Sequence, residues 1–297
     1  MSDELVYDSH PQLERPVLIA AFRGWNDGGQ GASLAGAYLA RAWAAREFAT
    51  IDPENFYDFQ ATRPQVSLVD GEMRQIDWPE NNFLHAPLPG AGRDAIIMLG
   101  VEPNLRWKTF SDLVAGVAVE HRVELVLTLG SLLADVPHTR SAPVTGSATD
   151  PRLIEELGLQ LSRYEGPTGI VGVLHDSCSR AGLKSASLWA AVPHYVSLTP
   201  SPRAAKALVD RLADLLGADV DTAELEEAAD AYTRQVSEAV ASDEETSAYV
   251  QELERRVDEL GEEDDLPSGD ALAAELTRFL RERENGEDGG GDVAREQ

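Results

Sequence analysis

TLGSLLADVPHTR, residues 128–140, decides how this chain is read. The apolar run 123–129 leading into it predicts a buried strand that ends at Gly130. Asp135, His138, Thr139 and Arg140 follow, placing an acid, an imidazole, a hydroxyl and a guanidinium within six residues. In open α/β sheets, ligands gather outside the carboxyl ends of the strands. The loop is therefore either a polar site or a hydrogen-bonded structural corner.

Working outward, the same order of elements recurs. Residues 17–22 (VLIAAF) form a continuous apolar run, the pattern of a strand buried on both faces. A glycine-rich turn over 23–29 leads into helical spacing over 30–46, with Leu34, Ala37, Tyr38 and Ala42 on one face. Region 47–85 carries short alternating runs such as 73–78, split at Arg63-Pro64 and Asp70-Gly71, which predict antiparallel strands or a hairpin. Parallel-type order then resumes with a strand at 95–101 and a helix at 107–120. Asp150-Pro151 opens a short helix to Leu157. Further strands are predicted at 169–174 and 185–192, and an amphipathic helix at 202–216 that Gly217 ends. Strands alternating with helices argue for one α/β domain with a mainly parallel sheet.

Charge divides the chain. Its formal net charge is −27, of which −18 falls on residues 221–297 and only −9 on residues 1–220. Such acidity repels phosphate backbones and anionic lipid heads, so neither nucleic acid nor membrane is an expected partner. The single cysteine, Cys178, excludes an internal disulfide framework and thiolate metal clusters. No apolar run reaches the length of a membrane span. The polar N-terminus MSDELVYDSH has no signal-peptide pattern, so a cytoplasmic setting is expected.

Past residue 220 the character changes. Leu225, Ala229, Tyr232, Val236, Ala239, Val250, Leu253, Val257 and Leu260 share one heptad frame, interrupted at Asp243 and Thr246. The interruption lies in Ser242-Asp243-Glu244-Glu245, a capping-box sequence that would restart a helix. Two helices with a break near Ser242, or one weakened long helix, are both compatible. A further amphipathic helix is predicted over 271–283, with Leu272, Leu276, Phe279 and Leu280 on one face, and a disordered tail from 284. Such narrow stripes need cover from the body or from another subunit, and packing on the body is the simpler reading. The expected organisation is an α/β domain over 1–220, an acidic helical extension over 221–285 and a tail over 286–297.

Four constellations could carry chemistry. Glycines in residues 23–31 (RGWNDGGQG) would let backbone amides approach an anion, yet the spacing is neither a dinucleotide fingerprint nor a P-loop. A tight turn capped by Asp27, with Trp25 packed over it, requires less. Glu102 and Arg106, in GVEPNLRW (100–107), could bind a polar ligand or pair with each other across the loop. Asp135 and His138 could serve as base and orienter, but Asp-x-x-His alone is not a triad, and Ser131 or Thr139 would need a base brought by the fold. His175 precedes Cys178 too closely in the chain to face it as a catalytic partner, and a lone cysteine reads as a small buried apolar residue. No metal-ligand spacing is present.

Five segments in order, GWNDGGQGAS (24–33), GVEPNLRW (100–107), TLGSLLADVPHTR (128–140), GIVGVL (169–174) and SLWAAVPHYVS (187–197), resemble the proteasome assembly chaperone 2 family. The chain is similar to its longer, actinobacterial-type bacterial members over about residues 17–216. The resemblance implies a three-layer α/β/α sandwich with a mainly parallel sheet, similar to purine nucleoside phosphorylases and peptidyl-tRNA hydrolases, here with a C-terminal helical extension. It also implies a non-enzymatic homo-oligomer of the assembly-chaperone type, whose clients would be proteasome subunits or other proteins. No catalytic residue, metal or cofactor is expected. The alternative is a small-molecule binder or enzyme (taking a nucleoside- or phosphate-type ligand, or acting as an ATP-dependent ligase) that uses the strand-end cleft. Its candidate lining is Trp25, Asp27, Glu102, Arg106, Asp135, His138 and Arg140.

Overall fold

The computed structural model describes residues 4–69, 73–148, 150–161 and 165–260. Its centre is β2 (Val17–Arg23), whose alternate side chains enter different cores. Val17, Ile19 and Ala21 join one cluster, while Leu18, Ala20 and Phe22 join the other, so the strand reads as one unbroken apolar run.

In chain order the elements are β1 (Leu5–Tyr7), β2, α1 (Gly31–Ala42), β3 (Arg46–Ile51), β4 (Gln65–Val69), β5 (Met73–Asp77), β6 (Asn82–Leu88), β7 (Arg93–Val101) and α2 (Trp107–Glu120). There follow β8 (Leu125–Ala134), β9 (Val144–Ala148), α3 (Pro151–Leu157), β10 (Gln160–Leu161), α4 (Ile170–Arg180), β11 (Ser185–Pro193), α5 (Pro202–Leu216), α6 (Ala223–Ala241) and α7 (Glu244–Leu260). The main sheet runs β1-β3-β6-β7-β2-β8-β11-β9-β10. Its four central strands, β7, β2, β8 and β11, are parallel. Antiparallel pairs extend it through β6, β3 and β1 on one side and β9 on the other. Helices α1 and α5 pack together on one face and α2 and α4 on the other, which completes the α/β/α sandwich.

Two expected elements change. Residues 169–174 are not a strand but the N-terminal end of α4. Ile170, Val171, Leu174, Ser177 and Cys178 form its buried face, a helical spacing that outruns the short apolar segment. The strand expected to stop at Gly130 continues to Ala134. Gly130 is there for packing: a Cβ at that position would overlap the Trp189 ring on β11.

The heptad resolves into two helices. Asp243, not Ser242, caps α7, its Oδ1 accepting from the amides of Glu245 (3.0 Å) and Thr246 (3.4 Å). The Ser242 hydroxyl instead donates back to the Ala239 carbonyl at 2.6 Å. Helix α6 packs against α5 and buries Leu225, Ala229, Tyr232 and Val236. The helix expected over 271–283 and the tail after it lie outside the described residues. Away from the main sheet, β4 and β5 form a two-stranded hairpin. Val66, Leu68, Ile76 and Trp78 are exposed on it, and the Val66–Ile76 register puts them on one face.

Candidate functional site

Between β2 and α1, Asp27 is the organising group. Its Oδ1 accepts from the amides of Ala32 (2.9 Å) and Ser33 (3.1 Å) and from the Ser131 hydroxyl of β8 (3.3 Å). It thus caps the first turn of α1 and ties it to the central strand. Its Oδ2 is buried without a hydrogen-bond partner, and burial raises the carboxyl pKa above the ordinary aspartate range. Gly28 lets this turn lie against β8, since a Cβ there would reach 3.0 Å from the Leu132 Cα.

Glu102, just past β7, is a second junction. Its Oε2 accepts from the Trp25 amide at 2.9 Å, and its Oε1 from the Ile170 amide at 2.8 Å and the Asn26 side chain at 3.4 Å. One carboxylate therefore holds the β2–α1 turn and satisfies an amide at the start of α4. Trp25 is 41% exposed rather than packed over the turn. Arg106 does not pair with Glu102: its guanidinium binds Glu4 and lies 5.5 Å from the Phe56 ring centroid.

Asp135, His138 and Arg140 form a separate group on the β8–β9 loop, and their partners come from β11's end and the C-terminal helices. Asp135 Oδ1 lies 2.9 Å from His194 Nε2 and accepts from the Tyr249 hydroxyl at 2.7 Å. Arg140 grips Asp258 with two parallel bonds of 2.8 and 2.7 Å and reaches Glu254 at 3.4 Å. Thr139 also donates to Glu254.

His138 is buried. The Tyr195 hydroxyl accepts from its backbone amide at 2.8 Å and lies 2.9 Å from Nδ1. Nε2 is 3.0 Å from the Ser237 hydroxyl, which itself donates to the Thr233 carbonyl. That chain is satisfied by a neutral imidazole carrying its hydrogen on Nε2, with Tyr195 donating to Nδ1. Burial first, and the Arg203 cation second, lower the His138 pKa, consistent with the neutral form. The ring joins a T-shaped aromatic group with Tyr195, Tyr249 and His194.

The sequence reading missed a third polar group. His175 on α4 places Nδ1 2.8 Å from the Ser185 hydroxyl and Nε2 2.7 Å from that of Ser187 and 3.1 Å from that of Thr128. Burial lowers its pKa to about 4. Alternating Ser185 and Ser187 in an apolar strand was the available signal, but their partner became visible only once 169–174 proved helical. Cys178, on the same helix, is buried, and its thiol pKa is pushed up to about 12.

Two clefts lie near these groups. One, of about 390 Å³, sits at the ends of β2 and β7 and is lined by Arg23, Gln30, Ser33, Glu80 and Asn82 over apolar walls. The other, of about 550 Å³, lies between the residues after β11 and the α6–α7 elbow. None of the seven sequence candidates lines either cleft. Among the described residues no cluster of His, Cys, Asp and Glu could hold a metal.

The class is thus a three-layer α/β/α protein whose strand-end polar residues join one element to the next. The chain belongs to the PAC2 family, whose model matches residues 21–240 and so takes in nearly all of α6. The crystal structure of a PAC2 family protein from Streptomyces avermitilis is 45% identical, with 79% of this chain and 99% of that one covered and a TM-score of 0.74. A Mycobacterium tuberculosis proteasome-assembly chaperone homologue is 46% identical over the same shares, at a TM-score of 0.72. A Mycobacterium tuberculosis protein of unknown function is 26% identical, with 95% and 98% covered and a TM-score of 0.81. The search of curated proteins finds no match. The actinobacterial character of the resemblance and the α/β fold are both met.

Proposed function

We propose that this chain is a non-enzymatic protein of the proteasome-assembly-chaperone type, a cytoplasmic homo-oligomer that holds protein clients, with proteasome subunits first among them. The observation carrying this reading is the family match over residues 21–240 together with 46% identity to a proteasome-assembly chaperone homologue. The site agrees with it. Asp27, Glu102, His138 and Arg140 spend their hydrogen bonds on α1, α4, α6 and α7. Groups committed in that way position elements rather than turn over a substrate. Self-association is supported by the apolar face of the β4–β5 hairpin, a kind of surface that monomers rarely leave uncovered. No helix among the described residues is long and apolar enough to cross a membrane.

The test is affinity capture of the intact protein under native conditions, with light scattering for its mass. Recovery of proteasome subunits and a mass above 32.2 kDa support the reading. A monomer that never recovers them contradicts it.

The 390 Å³ cleft at the ends of β2 and β7 favours a second reading, a small-molecule site. Thermal-shift screening with nucleosides, nucleotides and phosphate separates the two, because a ligand that binds only the native state raises Tm by mass action. A flat screen counts against the cleft.

A further inference from the structure

The family match ends at residue 240, and α7 begins at Glu244. Helix α7 therefore lies beyond the region that the family model matches, and it packs on a loop inside that region. Its attachment differs in kind from that of α6. Helix α6 buries four apolar or aromatic side chains in the body, whereas among the described side chains of α7 Val250 and Leu253 are the buried hydrophobic ones, and Val257 is 38% exposed. The Tyr249 ring also packs edge-on against His194 and Tyr195, and the remaining contacts are polar: the Tyr249 hydroxyl on Asp135, Glu254 on Thr139 and Arg140, and Asp258 on both arms of the Arg140 guanidinium. With six acidic and two basic residues in 244–260, α7 carries a net charge of −4 opposite that guanidinium.

We propose that the Asp135–Arg140 loop is a docking seat for an acidic amphipathic helix of a partner protein, and that α7 is a strap occupying the seat in cis. The partner helix would present an aromatic hydroxyl, two apolar residues and two carboxylates in the order of Tyr249, Val250, Leu253, Glu254 and Asp258. Charge complementarity and the seated α7 itself argue for this occupant. The proposal rests on the protein-binding reading above and adds where and how a client is held. A strap held by two buried apolar residues, one edge-packed tyrosine ring and a partly exposed ion-pair network opens more readily than the sheet beneath it, and salt weakens it.

The test uses the full chain and a fluorescein-labelled peptide of residues 243–260. Glu254→Lys with Asp258→Lys should lift the strap while leaving Arg140 in place. The peptide should then bind this variant at least about tenfold more tightly than wild type, whose seat is already filled. Adding Arg140→Glu should abolish that binding. In wild type, hydrogen exchange of α7 amides should quicken on going from low salt to about 1 M salt, with β2 and β8 unchanged. The proposal is overturned if the peptide binds both forms equally, or binds neither. A larger assembly of the lifted variant than of wild type in light scattering would give the seat to a second copy and also overturn it. Should the double substitution disturb the sheet, the salt series on wild type decides alone, and α7 protection insensitive to salt contradicts the strap. Failure to capture proteasome subunits would leave these outcomes intact, so the two readings fail separately.

Discussion

Arg140 in the β8–β9 loop and Asp258 in the last turns of α7 face each other through a two-bond fork, Nε to Oδ1 at 2.8 Å and Nη2 to Oδ2 at 2.7 Å. They are 118 positions apart in the chain, so this pair fastens α7 to the loop that follows the central strand β8. The Arg140 bonds hold the Asp258 carboxyl below the ordinary aspartate pKa. A depressed folded pKa gives stabilisation that is present above the unfolded value, near 4, and is lost as pH falls through the folded one. The α7 attachment should therefore persist through neutral pH and down to about pH 4, then loosen below it. Carboxyl NMR of Asp258 checks this: an ordinary titration midpoint would mean that the fork does not form in solution.

Gly130 carries a sharper stability prediction. Gly130→Ala drives a methyl into the Trp189 ring and should cost about 1–3 kcal/mol, the range for overpacking a filled core. Pairing it with Trp189→Leu should restore part of that loss. Denaturant unfolding of the two variants and their combination measures the coupling, and additive losses would count against the contact.

Asp27 separates capping from charge. Asp27→Ala removes the acceptor for the Ala32 and Ser33 amides and should cost about 1–2 kcal/mol. Asp27→Asn keeps an acceptor and removes a buried charge, so its stability at pH 7 should match or exceed wild type. Because the folded pKa of Asp27 is raised, its contribution is fully present below the unfolded value and is lost as pH rises through the folded one. Wild type should accordingly gain on Asp27→Asn as pH falls from 7 toward 4, which paired thermal melts across that range would detect.

How much of this was legible in the residues follows from where each signal lived. Strand β2 and helices α2, α3 and α5 could be placed because their patterns are local: an apolar run, a helical stripe, a Pro at the first helical position, a Gly past the end. The α4 segment misled because four apolar residues and two glycines fit a buried strand as well as one helix face, and only Ser177 and Cys178 complete the stripe. Gly130 looked like a stop, whereas its cause is a ring on a strand more than fifty positions later. The candidate residues were legible as chemistry but not as partners. Nothing near Arg140 in the chain announces Asp258, and Arg106 lay four positions from Glu102 yet pairs with Glu4.

His175 should resist protonation. With a folded pKa of about 4 against an ordinary value of 6.5, the unfolded chain takes up a proton first as pH falls. Its contribution to stability should therefore decline between about pH 6.5 and 4, by roughly 1–3 kcal/mol in total, and level off below. Imidazole NMR titration should find His175 neutral at pH 5.5, and a midpoint near 6.5 would refute the buried hydroxyl cluster.

The most direct test of the central claim is native mass spectrometry of the intact chain mixed with the purified proteasome α-subunits of its own organism. The account predicts a defined complex of this protein with α-subunits, weakened by salt. Free α-subunits beside an unbound chain, at concentrations up to tens of micromolar, would contradict it.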